Sequence, residues 1–384
     1  MMMLPQDQSI VVNRNNDGAV VEIVMLMASD FHAHFRLADM LKAVAAQIAG
    51  PYKYVLAMPN TKPHKVTASE ALAYKLEIEA HLRTLGIVGK IIIPTVYLCK
   101  ETTVATLDAM MDHDVPIAIK SYPPGGTTNS DEASPLLEMD EVLRAMPERG
   151  IRLLVHGETV IDKYGKIIPH EHREDYFMTE VYPRVRDRHP DIHICLEHVT
   201  THKAIELVKA DQSGKTVCTI TPQHMLLSNA AFGEVWGGVN VRCMPYLKDE
   251  DDRFAVADFG TSGDKRAIAG SDIAPHPWSA KDKPLTEAAC GCYTPHALAM
   301  YAKVAEDMGR LDERFVSFVS QNGPRWWGLP MPTHEETVNL INDPLHSIPE
   351  PTPLPYMNDR VVPLGWTPDF EDRMKLEFAL PHGC

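Results

Sequence analysis

Eight short runs of valine, isoleucine and leucine constrain this chain's fold more than any other feature. They span residues 23–27, 54–58, 91–97, 116–119, 153–155, 193–196, 216–220 and 267–269. Most lack the alternation of polar and apolar residues, which marks parallel strands buried on both faces. Helix-like stretches lie between them. Residues 67–85 carry the apolar Ala71, Leu72, Leu76, Ile78 and Leu82, and 134–146 opens on Ser134-Pro135. Eight strand–helix repeats predict an α/β fold, a (β/α)8 barrel of TIM type whose active site sits at the carboxyl ends of the strands.

At 384 residues the chain has room for such a barrel and its extensions. Its 45% hydrophobic and 23% charged content supports a sizeable core. We expect an N-terminal extension at 1–22, the barrel at 23–323 and a proline-rich C-terminal extension at 324–384. Eleven of the 30 prolines fall between Pro324 and Pro381. Segment 349–355 cannot form regular helix or central strand, so extended chain packed on the barrel, with no catalytic role, is predicted.

The formal charge of −15 leaves no basic surplus to neutralise phosphates, which argues against nucleic acid or an anionic membrane and for a small-molecule substrate. The opening residues lack the charged and apolar regions of a signal peptide, and no apolar run approaches 18 residues. A soluble cytoplasmic protein is expected. Cysteines at 99, 195, 218, 243, 290, 292 and 384 have no framework spacing and read as reduced, mostly buried thiols. Cys290-Gly291-Cys292 reads as packing.

Directly after the runs stand Asp30-Phe31-His32-Ala33-His34, Pro59-Asn60, Lys120-Ser121-Tyr122, His156-Gly157-Glu158, Glu197-His198-Val199 and Ser271-Asp272. Residues two apart on a strand share a face, so His32 and His34 can offer two imidazoles to one ion, although such pairs also arise by chance. His156, His198 and Asp272 add nitrogen and oxygen donors suited to zinc. His81, His113, His189 and His334 read as solvated or packed; His170, His172, His193, His202 and His224 read as supporting or structural. Lys120 ends an apolar strand, where burial near cations disfavours an ammonium. A neutral or CO2-carbamylated lysine bridging two metals is one reading, and a lysine reaching to solvent is the other. The residues alone leave both open.

Together these motifs resemble the dihydroorotases of the amidohydrolase superfamily, in particular the short, monofunctional, homodimeric type. Further motifs carrying the resemblance are Arg36 after the histidine pair, Met58-Pro59-Asn60-Thr61, Thr127-Thr128-Asn129-Ser130, Thr221-Pro222-Gln223-His224, Gly270-Ser271-Asp272-Ile273-Ala274-Pro275-His276 and Asn322-Gly323-Pro324. The resemblance implies reversible, zinc-dependent closure of N-carbamoyl-L-aspartate to L-dihydroorotate with loss of water, a step of pyrimidine (UMP) biosynthesis. It implies two zinc ions per subunit, one held by His32, His34, Asp272 and carboxylated Lys120, the other by His156, His198 and the same carboxylate, with a bridging hydroxide. It makes Asp272 the proton shuttle, and it places Arg36, Asn60, Met244 and His276 around the substrate. Residues 123–130 become a mobile lid bearing Thr127 and Thr128, although Gly, Pro and Asn also suit an ordinary turn.

Two departures from the family pattern stand out: Leu37-Ala38 replaces an acidic residue and glycine, and Ser121 replaces a leucine-like residue. A hydantoinase or dihydropyrimidinase would share barrel and metals, but Arg36, Asn60 and the two threonines suit a substrate carboxylate. A non-catalytic, dihydroorotase-like scaffold would be expected to lack ligands, and all six are present here.

Overall fold

A computed structural model describes residues 4–111 and 113–381; three residues at each terminus, Cys384 among them, lie outside it. The chain opens with an antiparallel hairpin, β1 (Ile10–Arg14) and β2 (Val20–Leu26). Eight parallel strands follow: β3 (Ala28–Ala33), β4 (Tyr52–Ala57), β5 (Ile91–Tyr97), β6 (Ala118–Ser121), β7 (Leu153–His156), β8 (Ile194–Glu197), β9 (Thr216–Ile220) and β10 (Ala267–Ala269). Each pairs in parallel with its neighbour in sequence. Closure comes just past β10. There the Asp272 N–H donates to His32 O (2.9 Å), the His34 N–H donates to Ile273 O (3.0 Å), and Ala33 bridges Ile273 in parallel. The expected (β/α)8 barrel is therefore present.

Burial on both faces explains why these strands read as continuous apolar runs. Phe31, Tyr54, Leu56, Ile93, Leu154, Val217 and Ile268 fill the barrel's interior. Outside, α1 (Ala38–Ala49) buries Leu41, Val44 and Ile48. The next helix, α2 (Ala68–Thr84), begins at a capping box formed by Thr67 and Glu70. Region 134–146 is less regular than expected, splitting into a 3-10 turn (Leu136–Glu138) and a short helix (Asp140–Ala145).

The expected first strand is corrected by one element. Run 23–27 lies in β2, outside the barrel; the barrel begins with β3, whose Ser29, Asp30 and His32 hide it from an apolar search. What makes β2 apolar is a second sheet. β11 (Thr337–Asn342) pairs with β2, and after the hairpin β12 (Thr352–Leu354) and β13 (Asp359–Val361), β14 (Phe378–Ala379) pairs with β11. The order β1-β2-β11-β14 joins the two ends of the chain.

The proline-rich region also departs from purely extended chain at its start, where Asn322–Trp327 is helical. Trp327 stacks on Phe31 with ring centroids 5.9 Å apart, and Tyr54 Oη donates to Pro330 O (2.8 Å). Gly323 permits this approach, since a Cβ there would stand 2.0 Å from the Phe31 ring. The six described cysteines are free thiols. Among the described residues no helix is long and apolar enough to cross a membrane.

Candidate metal and substrate site

The carboxyl ends of the barrel strands bring the candidate residues to one hollow, lined by His32, His34, Arg36, Asn60, Thr127, Thr128, His156, His198, Met244 and Asp272, with Tyr122, Ala274, Cys290 and Gly291. The backbone bends sharply at this rim. Arg36, Asn129, His198 and Asp272 adopt φ of 63°, 56°, 42° and 49°, a left-handed region that non-glycine residues enter only when their surroundings hold them there. At Gly270, just before the Ser271-Asp272 turn, a Cβ would meet Thr219 at 2.9 Å and His32 at 3.0 Å.

Three donors converge most tightly. Ligand atoms of His32, His34 and Asp272 lie within 4.8 Å of one another. Asp272 Oδ1 is 3.0 Å from His34 Nε2 and 3.3 Å from His32 Nε2. The other ring nitrogen of His32, Nδ1, is bonded to Glu197 Oε2, which turns Nε2 toward Asp272. His198 packs on His32 with ring centroids 5.0 Å apart and on His156 at 4.4 Å. His156 Nε2 is held by Glu158 Oε2 at 2.6 Å.

Burial lowers the basicity of these imidazoles, but at His32 the Glu197 and Asp272 carboxylates outweigh it and raise the pKa. Burial lowers the His34 pKa to about 4 and pushes that of His198 well below the usual imidazole value, leaving these two with neutral nitrogens able to ligate. Lys120 is 0% exposed, its Nζ has no hydrogen-bond partner, and burial lowers its pKa. Of its two open readings, a lysine reaching solvent is thereby excluded. His198 Nδ1 and Glu197 Oε1 are likewise buried without a partner. Clustered oxygen and nitrogen donors, beside a buried amine that has no hydrogen-bond partner and lies 5.0 Å from the Tyr122 ring centroid, fit a centre that takes up metal ions.

The polar side of the hollow is organised around Arg36. Its Nε donates to Pro275 O (2.9 Å), its Nη2 lies 3.0 Å from His276 Nε2, and Tyr74 Oη donates to the Arg36 carbonyl (2.7 Å). His276 Nε2 also lies 3.0 Å from Cys290 O, which accepts from Thr128 Oγ1 at 3.2 Å. Asn60 Nδ2 donates to Thr128 O (3.0 Å), and Asn129 Nδ2 returns a bond to Asn60 O (2.8 Å). Loop 123–130 is thus docked over the site. His224, by contrast, is structural: its Nδ1 pairs with Thr221 Oγ1 (2.5 Å) and its Nε2 with Pro245 O (3.0 Å).

Glu158, Glu197 and Asp30, which the sequence motifs contain but do not mark as ligands, hold the site's histidines and turns. Asp30 accepts from the Ser271 N–H (2.8 Å) and the His32 N–H (3.0 Å), tying β3 to the Asp272 turn. Their closeness in sequence to histidines at strand ends was the available clue.

No family model matches the chain. Curated relatives do: the dihydroorotase of Halorhodospira halophila is 37% identical over 342 residues, covering 87% of this chain and 93% of its own. That of Laribacter hongkongensis is 38% identical over 350 residues, covering 89% and 96%. Among solved structures, a Saccharomyces cerevisiae dihydroorotase in complex with 5-fluoroorotic acid superposes with a TM-score of 0.80 at 24% identity, covering 94% of this chain and 98% of that one. An L-hydantoinase from Arthrobacter aurescens reaches 0.71 at 17% identity, covering 93% and 82%, which shows the shared barrel. The full-length agreement with curated sequences separates the two groups: the chain belongs to the dihydroorotase family.

Proposed function

We propose that the rim residues carry the reaction of this family as follows. The enzyme interconverts N-carbamoyl-L-aspartate and L-dihydroorotate in pyrimidine biosynthesis, a hydrolysis of a cyclic amide in one direction and loss of water in the other. His32, His34 and Asp272 would hold one zinc ion and His156 and His198 a second, with Lys120, carboxylated on Nζ, shared by both. Carboxylation suits Lys120 because it converts an unpartnered buried amine into an anion. Bound zinc would supply an activated water and polarise the scissile carbonyl.

The chain's own groups do the rest. Asp272 moves the proton between the attacking water and the ring nitrogen, its carboxylate already lying against two imidazoles at the centre. Arg36 is anchored through Nε to Pro275 and through one Nη2 contact to His276, which leaves guanidinium hydrogens to meet the substrate carboxylate. Asn60, whose Oδ1 is buried without a partner, and His276 orient the same end, and Met244 packs beside the ring. Thr127 and Thr128 close the roof and exclude water. To the same reading belong a homodimer, a cytoplasmic location and the division at 1–22, 23–323 and 324–384.

The observation that carries the proposal is the convergence of His32, His34 and Asp272 near the buried Lys120, whose Nζ has no hydrogen-bond partner. Turnover of L-dihydroorotate compared with hydantoin and dihydrouracil tests it. Preference for dihydroorotate is expected, whereas preference for either neutral ring would contradict the substrate assignment.

A further inference from the structure

Glu174 lies at the start of a short helix (Arg173–Tyr176) and is 1% exposed. Its carboxylate accepts five hydrogen bonds, all from two consecutive residues. The Thr200 N–H reaches both oxygens (2.9 and 3.1 Å) and the Thr201 N–H reaches Oε1 (2.9 Å). The hydroxyls of Thr200 and Thr201 donate at 2.5 and 3.0 Å. Thr201 then caps the helix His202–Ala210, accepting from the Ala204 N–H.

These threonines begin two residues past His198, whose φ of 42° lies in the left-handed region that is costly for a residue with a Cβ. Such a turn persists only if both sides are held. Upstream, Thr219 holds it: Oγ1 accepts from the His198 N–H (2.8 Å) and its carbonyl from the Val199 N–H (3.1 Å). Downstream, Glu174 holds it. A helix cap needs one acceptor, and Thr201 supplies that itself, so five further bonds exceed what capping requires. The carboxylate suits the task because its two oxygens can accept from all four donors, two N–H groups and two hydroxyls. The adjoining Arg173 carbonyl accepts from the Thr159 N–H (3.2 Å), next to Glu158, so one dipeptide is tied to the turns after both His156 and His198.

We infer that Glu174 is a positioning residue for the second metal position, clamping the Thr200-Thr201 turn so that His198 is presented beside His156. The inference rests on reading those two histidines as ligands of that ion. The test is titration of the metal-free full-length chain with Co2+ in bicarbonate, followed by visible absorption. Wild type should saturate at two ions per chain, and His198→Ala should give the spectrum of a chain lacking the second position. Glu174→Gln should fill the His32, His34 and Asp272 position normally and bind the second ion about 10–100-fold more weakly. Thr200→Val, which keeps both N–H donors, should weaken the same position by a smaller factor and serves if the glutamine variant does not fold. A Glu174→Gln isotherm identical to wild type, or equal weakening of both positions, would overturn the inference alone. One ion in wild type, or two in His198→Ala, would overturn the ligand reading and the inference with it.

Discussion

Glu158 Oε2 stands 2.6 Å from Nε2 of His156, so only Nδ1 of that imidazole is left to face a metal ion. Glu197 does the converse for His32, engaging Nδ1 and freeing Nε2. Two buried carboxylates thereby select which nitrogen of each histidine is presented. Replacing Glu158 or Glu197 with glutamine should weaken zinc affinity about 10–100-fold while preserving secondary structure. Zinc competition with a chromophoric chelator reads this directly, and unchanged affinity would reduce both carboxylates to packing.

Asp272 faces His32 and His34 through one oxygen, and the two imidazoles hold its carboxyl well below the usual range although burial alone would raise it. As proton carrier it should be indispensable. Asp272→Asn is expected to lower kcat by about 10²–10⁴ with the fold retained. A variant with near-wild-type kcat would remove Asp272 from that role.

The loop over the site hangs on Thr128, which bonds Cys290 O through its hydroxyl and Asn60 through its carbonyl. Thr127→Ala combined with Thr128→Ala should depress kcat/KM without changing zinc content. Steady-state kinetics beside metal analysis separates this from a damaged centre; unaffected kinetics would make the loop an ordinary turn.

Ala38 is exposed and has φ of 51° at the entry to α1, where the family often has glycine. The left-handed conformation is costly only for a residue with a Cβ. Ala38→Gly should stabilise the chain by about 1 kcal/mol, seen as a higher urea midpoint at unchanged slope. A lower midpoint would show that Ala38 is not strained.

Much of the fold was readable because parallel barrel strands bury both faces: β5, β9 and β10 begin and end where their apolar runs do. β3 was not, because its polar residues are satisfied by partners far along the chain, Asp30 by Ser271 and His32 by Glu197. Such pairings leave no local pattern. The same holds for β2, which looks like a barrel strand but pairs with β11, more than 300 residues later, in a second sheet. At the site, residue types at strand ends were legible; which atoms they hold was not. Arg36 suited a substrate carboxylate, yet two of its donors are already engaged by Pro275 and His276. Glu174 carried no motif at all, since its five bonds reach across 26 and 27 residues.

On the proposed function, Lys120 carries a carboxylate shared by two ions. Diffraction from crystals grown with zinc and bicarbonate, collected at the zinc edge, tests it most directly. Two anomalous peaks are predicted, one among His32, His34 and Asp272 and one beside His156 and His198, with density continuing past Lys120 Nζ between them. A single peak, or a Lys120 side chain ending at Nζ, would contradict it.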